Sequence, residues 1–170
     1  TEPNPAANYW FARAQGKLTA FTRAPSWTLR RADGSRSAAI AQMRKAVAYH
    51  RQSDLRRALS NIDAAIGSRP NAPFLRELKG QILLESRRAS DAVAVYSAAA
   101  RLAPPEPLIL GGLGRAHLAA GNAGEALRVL ETARGRDFRD TRILRDLAVA
   151  YAKTGNTAMA SLVTAERYAL

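Results

Sequence analysis

NAPFLRELKGQILLESRRASDAVAVYSAAARLAP, residues 71–104, reads as two helices joined by a short turn and closed by a proline. Leu78, Gly80 and Leu83 share the first helix, and Ala92, Tyr96 and Ala99 fall at i, i+4 and i+7, one face of the second. Two antiparallel helices approach closely only where side chains are small. Gly80 and Ala92 supply that contact, and Tyr96 fills the space beside it. Pro104 ends the pair.

Stepping by 34 residues tests whether the unit recurs, since a chance match loses register within a step or two. Gly80 falls on Ala46, Gly114 and Ala148; Ala92 on Ala58, Ala126 and Ala160; Ala99 on Ala65, Ala133 and Arg167. Leu83 falls on Tyr49, His117 and Tyr151, and Tyr96 on Ile62, Leu130 and Thr164. Pro104 has Pro70 before it and Phe138 after it, which predicts a looser third boundary. Thr164 and Arg167 are what a terminal repeat carries when no further neighbour buries its outer face. The unit resembles the tetratricopeptide repeat, which implies an all-α chain: a right-handed superhelix of about four helix pairs with an extra N-terminal helix.

The spacing divides the chain into residues 1–36, a capping helix and its connecting loop, and a four-repeat array over 37–170, with repeats at 37–70, 71–104, 105–138 and 139–170. The run from Ala6 to Thr22 places Trp10, Ala14, Leu18 and Phe21 on one stripe, outside the repeat register, and predicts a helix covering the exposed side of the first repeat. Pro25 and the Asp33-Gly34 turn signal predict an extended connection over Arg23 to Gly34, anchored by Trp27. Helix pairs are predicted at 37–51 with 54–67, 72–86 with 90–102, 107–120 with 123–134, and 140–153 with 157–169. Gly121-Asn122 and Gly155-Asn156 sit at equivalent points: a glycine suited to the left-handed C-terminal conformation, then an asparagine suited to open the next helix. Asn71 and Asp140 are predicted N-caps, and Pro105 and Pro107 bracket the start of the third pair.

The chain has 170 residues, 47% of them apolar, which suits a globular protein with a real core. No run nears the roughly 18 apolar residues a membrane span needs, and the start lacks a signal-peptide pattern. Threonine at position 1 points to a processed or truncated chain. The absence of cysteine excludes disulfides and thiolate metal sites. Net charge is +12, concentrated toward the N-terminus: residues 1–36 and 37–70 each carry six Lys and Arg against two Asp and Glu. Either this is a solvated arginine-rich face, or it is a patch for nucleic acid or anionic lipid; nucleic acid is not the expected partner.

Catalytic patterns are missing. The two histidines do not lie in H-E-x-x-H spacing. His117 reads as a packed core residue, and His50 with Asp54 lacks a third ligand. Gly111, Gly112 and Gly114 have neither the strand nor the spacing of a phosphate loop and fall inside a helix that must pack closely. No serine stands in a G-x-S-x-G elbow. The expected catalytic, cofactor and metal residues are therefore none.

What remains is a surface. In stacked helix pairs the first helices line the inner side, where peptides or partner helices dock. The inward positions are Met43, Val47 and Arg51; Phe74, Glu77, Gln81 and Glu85; Arg115 and Leu118; and Arg142, Arg145, Val149 and Lys153. This series runs from apolar through acidic to basic, which suits a peptide carrying a carboxylate near one end. The alternative is a groove filled by the protein's own flanking segments.

Several runs are similar to the C-terminal region of bacterial BepA-like zinc metalloproteases, relatives of the HtpX and CAAX-prenyl-protease clan. They are ARAQGKLTAF (12–21), DLRRALSNIDAAI (54–66), ELKGQILLES (77–86) and AYAKTGNTAMASL (150–162). The resemblance implies a non-catalytic repeat region that positions protease clients or outer-membrane assembly proteins in the periplasm or cell envelope. The zinc and the catalytic H-E-x-x-H of that family lie in an upstream domain, and no position here matches them. A free-standing scaffold in contact with polyanions is the alternative, and a cytoplasmic location goes with it equally well.

Overall fold

A computed structural model describes residues 4–170. Its described residues form ten α-helices and no strand: α1 (Pro5–Thr22), α2 (Pro25–Arg31), α3 (Ala38–Arg51), α4 (Leu55–Ser68), α5 (Pro73–Glu85), α6 (Ala89–Leu102), α7 (Pro107–Ala119), α8 (Ala123–Arg136), α9 (Thr141–Lys153) and α10 (Thr157–Tyr168). The chain divides into two compact units, one ending at Leu75 and one running from Arg76 to Leu170.

The helix boundaries repeat because their stop signals repeat. After α3, α5, α7 and α9 the chain turns through a residue of positive φ: Ser53 (61°), Arg87 (61°), Gly121 (83°) and Gly155 (85°). At each turn the next amide bonds back to the carbonyl five residues earlier, at 2.9 Å: Asp54 to Tyr49, Arg88 to Leu83, Asn122 to His117 and Asn156 to Tyr151. This is the Schellman closure, and it satisfies carbonyls the helix end would leave orphaned. Restarts are capped locally. Asp54 accepts from the Arg57 amide at 2.9 Å, Asn156 from the Met159 amide at 3.1 Å, and Asp140 from the Arg142 amide at 2.8 Å. Helix α5 begins at Pro73, which leaves Asn71 two residues ahead of it, outside the capping position.

The third boundary is not looser, although Phe138 stands where Pro70 and Pro104 stood. Asp137 (φ −143°, ψ 87°) takes nearly the backbone of Arg69 and Ala103 (both −141°, 72°). Its carboxylate accepts from the Arg139 amide at 3.1 Å, so a side-chain turn supplies the constraint that proline supplies elsewhere.

In the first unit α1 and α2 pack on α3, and α3 pairs with α4. Ala46, Ala58 and Ile62 are fully buried at the α3–α4 contact. Gly16 brings α1 close to α3: a Cβ there would lie 3.1 Å from Ile40 Cγ2 and 3.4 Å from Met43 Cε. The segment expected to be extended is instead helical, as α2 followed by a 3-10 turn at Ala32–Gly34. Pro25 opens α2 at its first position, where a missing amide hydrogen costs nothing. Helix α1 also begins about one 34-residue step ahead of α3, as Pro73 and Pro107 do further on, so its start lies on the register rather than outside it.

In the second unit α6 packs on α7, α7 on α8, α8 on α9 and α9 on α10. Tyr96 occupies a slot cut by two glycines. Cβ atoms at Gly80 and Gly112 would stand 2.6 and 2.3 Å from its ring, one from each edge. Leu130 fills the equivalent space against Gly114, where a Cβ would lie 2.4 Å from its Cγ. Burying each such side chain fully contributes about 1.5–3 kcal/mol. At the final pair the pattern lapses as a terminal repeat should: Thr164 is exposed, and Ala160 and Arg167 are only partly buried.

Candidate protein-binding face

Asp140 caps α9 with both the Arg142 and Ile143 amides, which fixes the first turn of that helix. Arg142 folds back on the same carboxylate, Nη2 to Oδ2 at 2.9 Å and Nε to Oδ1 at 3.3 Å. Burial pushes the Asp140 carboxyl up, but the hydrogen bonds from Arg142 and the capping amides outweigh it and hold the group below its ordinary value. One turn on, Asp146 accepts from two arginines on different helices. Arg115 of α7 donates Nε at 2.7 Å, and Arg145 beside it donates Nε at 3.0 Å. A carboxylate 8% exposed needs such partners, since burying it unpaired is costly. Its partners Arg115 and Arg145, and Arg142 on Asp140, remain about half in solvent, with side chains 41%, 51% and 61% exposed.

Three guanidinium groups are therefore held on the α7–α9 face by two carboxylates. Each guanidinium has five N–H donors, and the carboxylates engage one or two of them. The remaining donors can take a further carboxylate in the two-pronged geometry arginine favours. Val149, exposed on α9 one turn beyond Arg145, adds an apolar contact, and Lys153, one turn further and also exposed, adds charge. Tyr96 lies within electrostatic reach of Arg115 and Glu77. Burial raises its phenol far above the ordinary value, Glu77 raises it further, and Arg115 acts against them, so the ring stays neutral.

The other expected positions divide. Met43 and Val47 are completely buried, Met43 beneath α1 at Gly16, so they belong to the core and line no open groove. Arg51 bonds through Nη1 to the carbonyls of Ala20, at 3.0 Å, and Arg23. In the first unit α1 thus packs over Met43, and the carbonyls at its C-terminal end take Arg51. Phe74 meets Trp10 edge-on at 5.8 Å, with the Arg13 guanidinium 4.7 Å from its centroid. Glu77 is buried; Gln81 donates to Glu85 at 2.8 Å; Leu118 is half-buried. His117, expected in the core, is only half-buried, and its Nδ1 has no hydrogen-bond partner.

Asp146 escaped the sequence reading, and it organises the face. It stands 31 residues after Arg115, and the neighbouring α7–α9 contact, Gly111 against Ile143, has a separation of 32. One repeat minus two or three residues is the spacing of facing positions on successive first helices, a signal that could have found the pair. Among the described residues no three His, Cys, Asp or Glu gather as metal ligands, and no helix is long and apolar enough to cross a membrane.

Two tetratricopeptide-repeat models match, one over residues 11–73 and 51–107 and the other over 83–145. The chain belongs to the tetratricopeptide-repeat family. The first match begins inside α1, in keeping with where that helix starts. No curated protein matches in sequence. Among solved structures this tetratricopeptide-repeat chain is similar to MamA 41-end from Desulfovibrio magneticus RS-1 (TM-score 0.76, 18% identity, 94% of this chain and 93% of that one covered). It is also similar to the MamA RS-1 ArsTM double mutant (0.75, 17%, 93% and 91%) and to MamA AMB-1 P212121 (0.74, 17%, 93% and 96%). At such identities the likeness is one of fold. Neither comparison supports the zinc-metalloprotease origin implied by the runs quoted above.

Proposed function

We propose that this tetratricopeptide-repeat scaffold binds a protein segment bearing Asp, Glu or a terminal carboxylate along the α7–α9 face, without catalysis. The observation behind this reading is the Arg115–Asp146–Arg145 bridge, which holds two half-exposed guanidinium groups at fixed positions on successive first helices. Pre-ordered arginines lose less freedom when they bind, which favours affinity. A client-binding role in an envelope metalloprotease and a free-standing adaptor would both use such a face. The two differ in what lies upstream of residue 1 in the parent protein.

The test is fluorescence polarisation with acidic peptides and their Asn/Gln counterparts. Charge reversal is a poor probe, because a glutamate in place of Arg145 would face the nearly buried Asp146. Arg142→Gln with Arg145→Gln leaves Arg115 on Asp146 and keeps the fold. Each lost charge-assisted hydrogen bond costs about 1.5–3 kcal/mol, so the double variant is expected to bind at least about tenfold more weakly. Equal binding of acidic and amide peptides, or an unchanged double variant, refutes the reading.

A further inference from the structure

The first unit carries charge that its own carboxylates do not balance, with twelve Lys and Arg against four Asp and Glu in residues 1–75. Part of that excess converges on a cavity of about 330 Å³ between the start of α1, the entry to α3 and the end of α4. Asn8, Tyr9, Arg36, Ser37 and Arg69 supply its polar wall, and among the described residues no Asp or Glu lines it. The Arg69 guanidinium lies over the Tyr9 ring, 3.5 Å from its centroid, which fixes both side chains. The Tyr9 hydroxyl oxygen is buried and has no hydrogen-bond partner.

A second, smaller cavity of about 170 Å³ shares the wall of Ala12, Arg36 and Ile40 and adds Arg44. Arg44 is tied through Nη1 to Ser35 Oγ at 2.7 Å and to the Arg31 carbonyl at 3.2 Å. Its Nε is buried and unpartnered. Three arginines thus gather around two adjacent hollows that, among the described residues, no Asp or Glu lines. Charges of one sign lining a concave site focus the potential and draw in counter-ions. Burial raises the Tyr9 phenol above its ordinary value against the opposing pull of Arg69 and Arg13, so it keeps its proton and can donate.

We propose that this cavity binds a small anion bearing a phosphate or carboxylate group, gripped by Arg36 and Arg69 with the Tyr9 hydroxyl as a third donor. A cavity of this size has room for on the order of ten waters, enough for a phosphomonoester or a small carboxylic acid. The site lies in the first unit and uses none of the residues of the α7–α9 face, so the two proposals stand or fall separately.

The intact chain is titrated calorimetrically with inorganic phosphate and, separately, with acetate, ionic strength being held constant with sodium chloride. Saturable binding is expected, with a melting temperature that rises with ligand concentration. Phosphate binding alone assigns a phosphate site and acetate binding alone a carboxylate site. Arg36→Gln with Arg69→Gln should weaken binding by tenfold or more, and Tyr9→Phe by severalfold. Tyr9→Phe keeps the ring under Arg69, so it reads the site even if the double arginine variant folds poorly. Absence of saturable heat, or affinity unchanged in both the double variant and Tyr9→Phe, overturns the proposal. So does binding of duplex DNA that depends on Arg36 and Arg69 but that phosphate fails to displace, which would mark a polyanion surface instead.

Discussion

Gly112→Ala should destabilise the second unit although alanine is the better helix former, and the sign should reverse when Tyr96 is shortened. The new Cβ would sit 2.3 Å from Tyr96 Cε1, 2.6 Å from Cζ and 2.9 Å from the hydroxyl oxygen. The ring cannot retreat, because on its other edge the Gly80 backbone leaves no room: a Cβ there would be 2.6 Å away. Overpacking of this kind costs about 1–3 kcal/mol, and a ring clamped from both sides belongs at the upper end. Replacing glycine within a helix returns about 1 kcal/mol, which leaves a net loss of about 2 kcal/mol. In a Tyr96→Leu background the clash is gone and only the propensity gain remains. Gly112→Ala should then stabilise by up to about 1 kcal/mol, a coupling of about 3 kcal/mol between the two sites. Urea unfolding of the four members of the cycle, with slopes checked for constancy, measures it. If Gly112→Ala costs the same in the Tyr96→Leu background as it does beside the native tyrosine, the slot is not what selects glycine and the packing argument fails.

The positive-φ turns make a second prediction. Ser53→Gly and Arg87→Gly remove a left-handed strain of roughly 1–2 kcal/mol, offset in part by the chain freedom glycine gains when unfolded. A rise of some tenths to about 1 kcal/mol in unfolding free energy is expected, whereas Gly121→Ala and Gly155→Ala should fall, by urea midpoint. His117 makes a third, on pH. Burial holds its pKa below the ordinary 6.5, against Glu125, which raises it. As pH drops through 6.5 the unfolded chain binds a proton before the folded one does, so stability present above that value is lost down to the folded pKa. His117→Leu, matching Leu83 one repeat earlier, should remove that part of the loss between pH 7.5 and 5.5. An unchanged slope would place the effect on other groups.

Recurring residues made the helix pairs legible. Small side chains at Ala58, Ala92 and Ala126 and the turn glycines put the helix ends of the repeats within two residues of where they lie. Helix α2 was not legible, because Pro25 equally signals a break and a first helical position, and nothing local decides between them. The turn after α8 keeps its form because the Asp137 carboxylate accepts from the Arg139 amide, a substitution for proline that hydropathy does not register. The α7–α9 arginines could be named from repeat position alone. Met43 and Val47, at equivalent positions in α3, were misplaced because their burial depends on where α1 packs, a contact between segments whose pairing no periodicity specifies.

The same comparison separates what folds this chain from what it can recognise. Ala46, Gly80 and Gly114 recur because a packing distance permits nothing larger. At the register of Asp146 stand Arg44, Leu78 and Gly112, and at that of Arg145 stand Met43, Glu77 and Gly111. Those positions tolerate a cation, an anion, an apolar side chain or none, so the hairpin does not depend on their chemistry. The Arg115–Asp146–Arg145 bridge is built from such varying positions, whereas the Tyr96 slot joins one of them, Gly112, to Gly80, whose register holds only glycine and alanine. Neutralising Arg142 and Arg145 should therefore change what the face binds and leave the urea midpoint nearly where it was, while Gly112→Ala should move the midpoint. If instead the arginine variants unfold as readily as Gly112→Ala, the bridge is a packing element and the α7–α9 face has no separate claim to recognition.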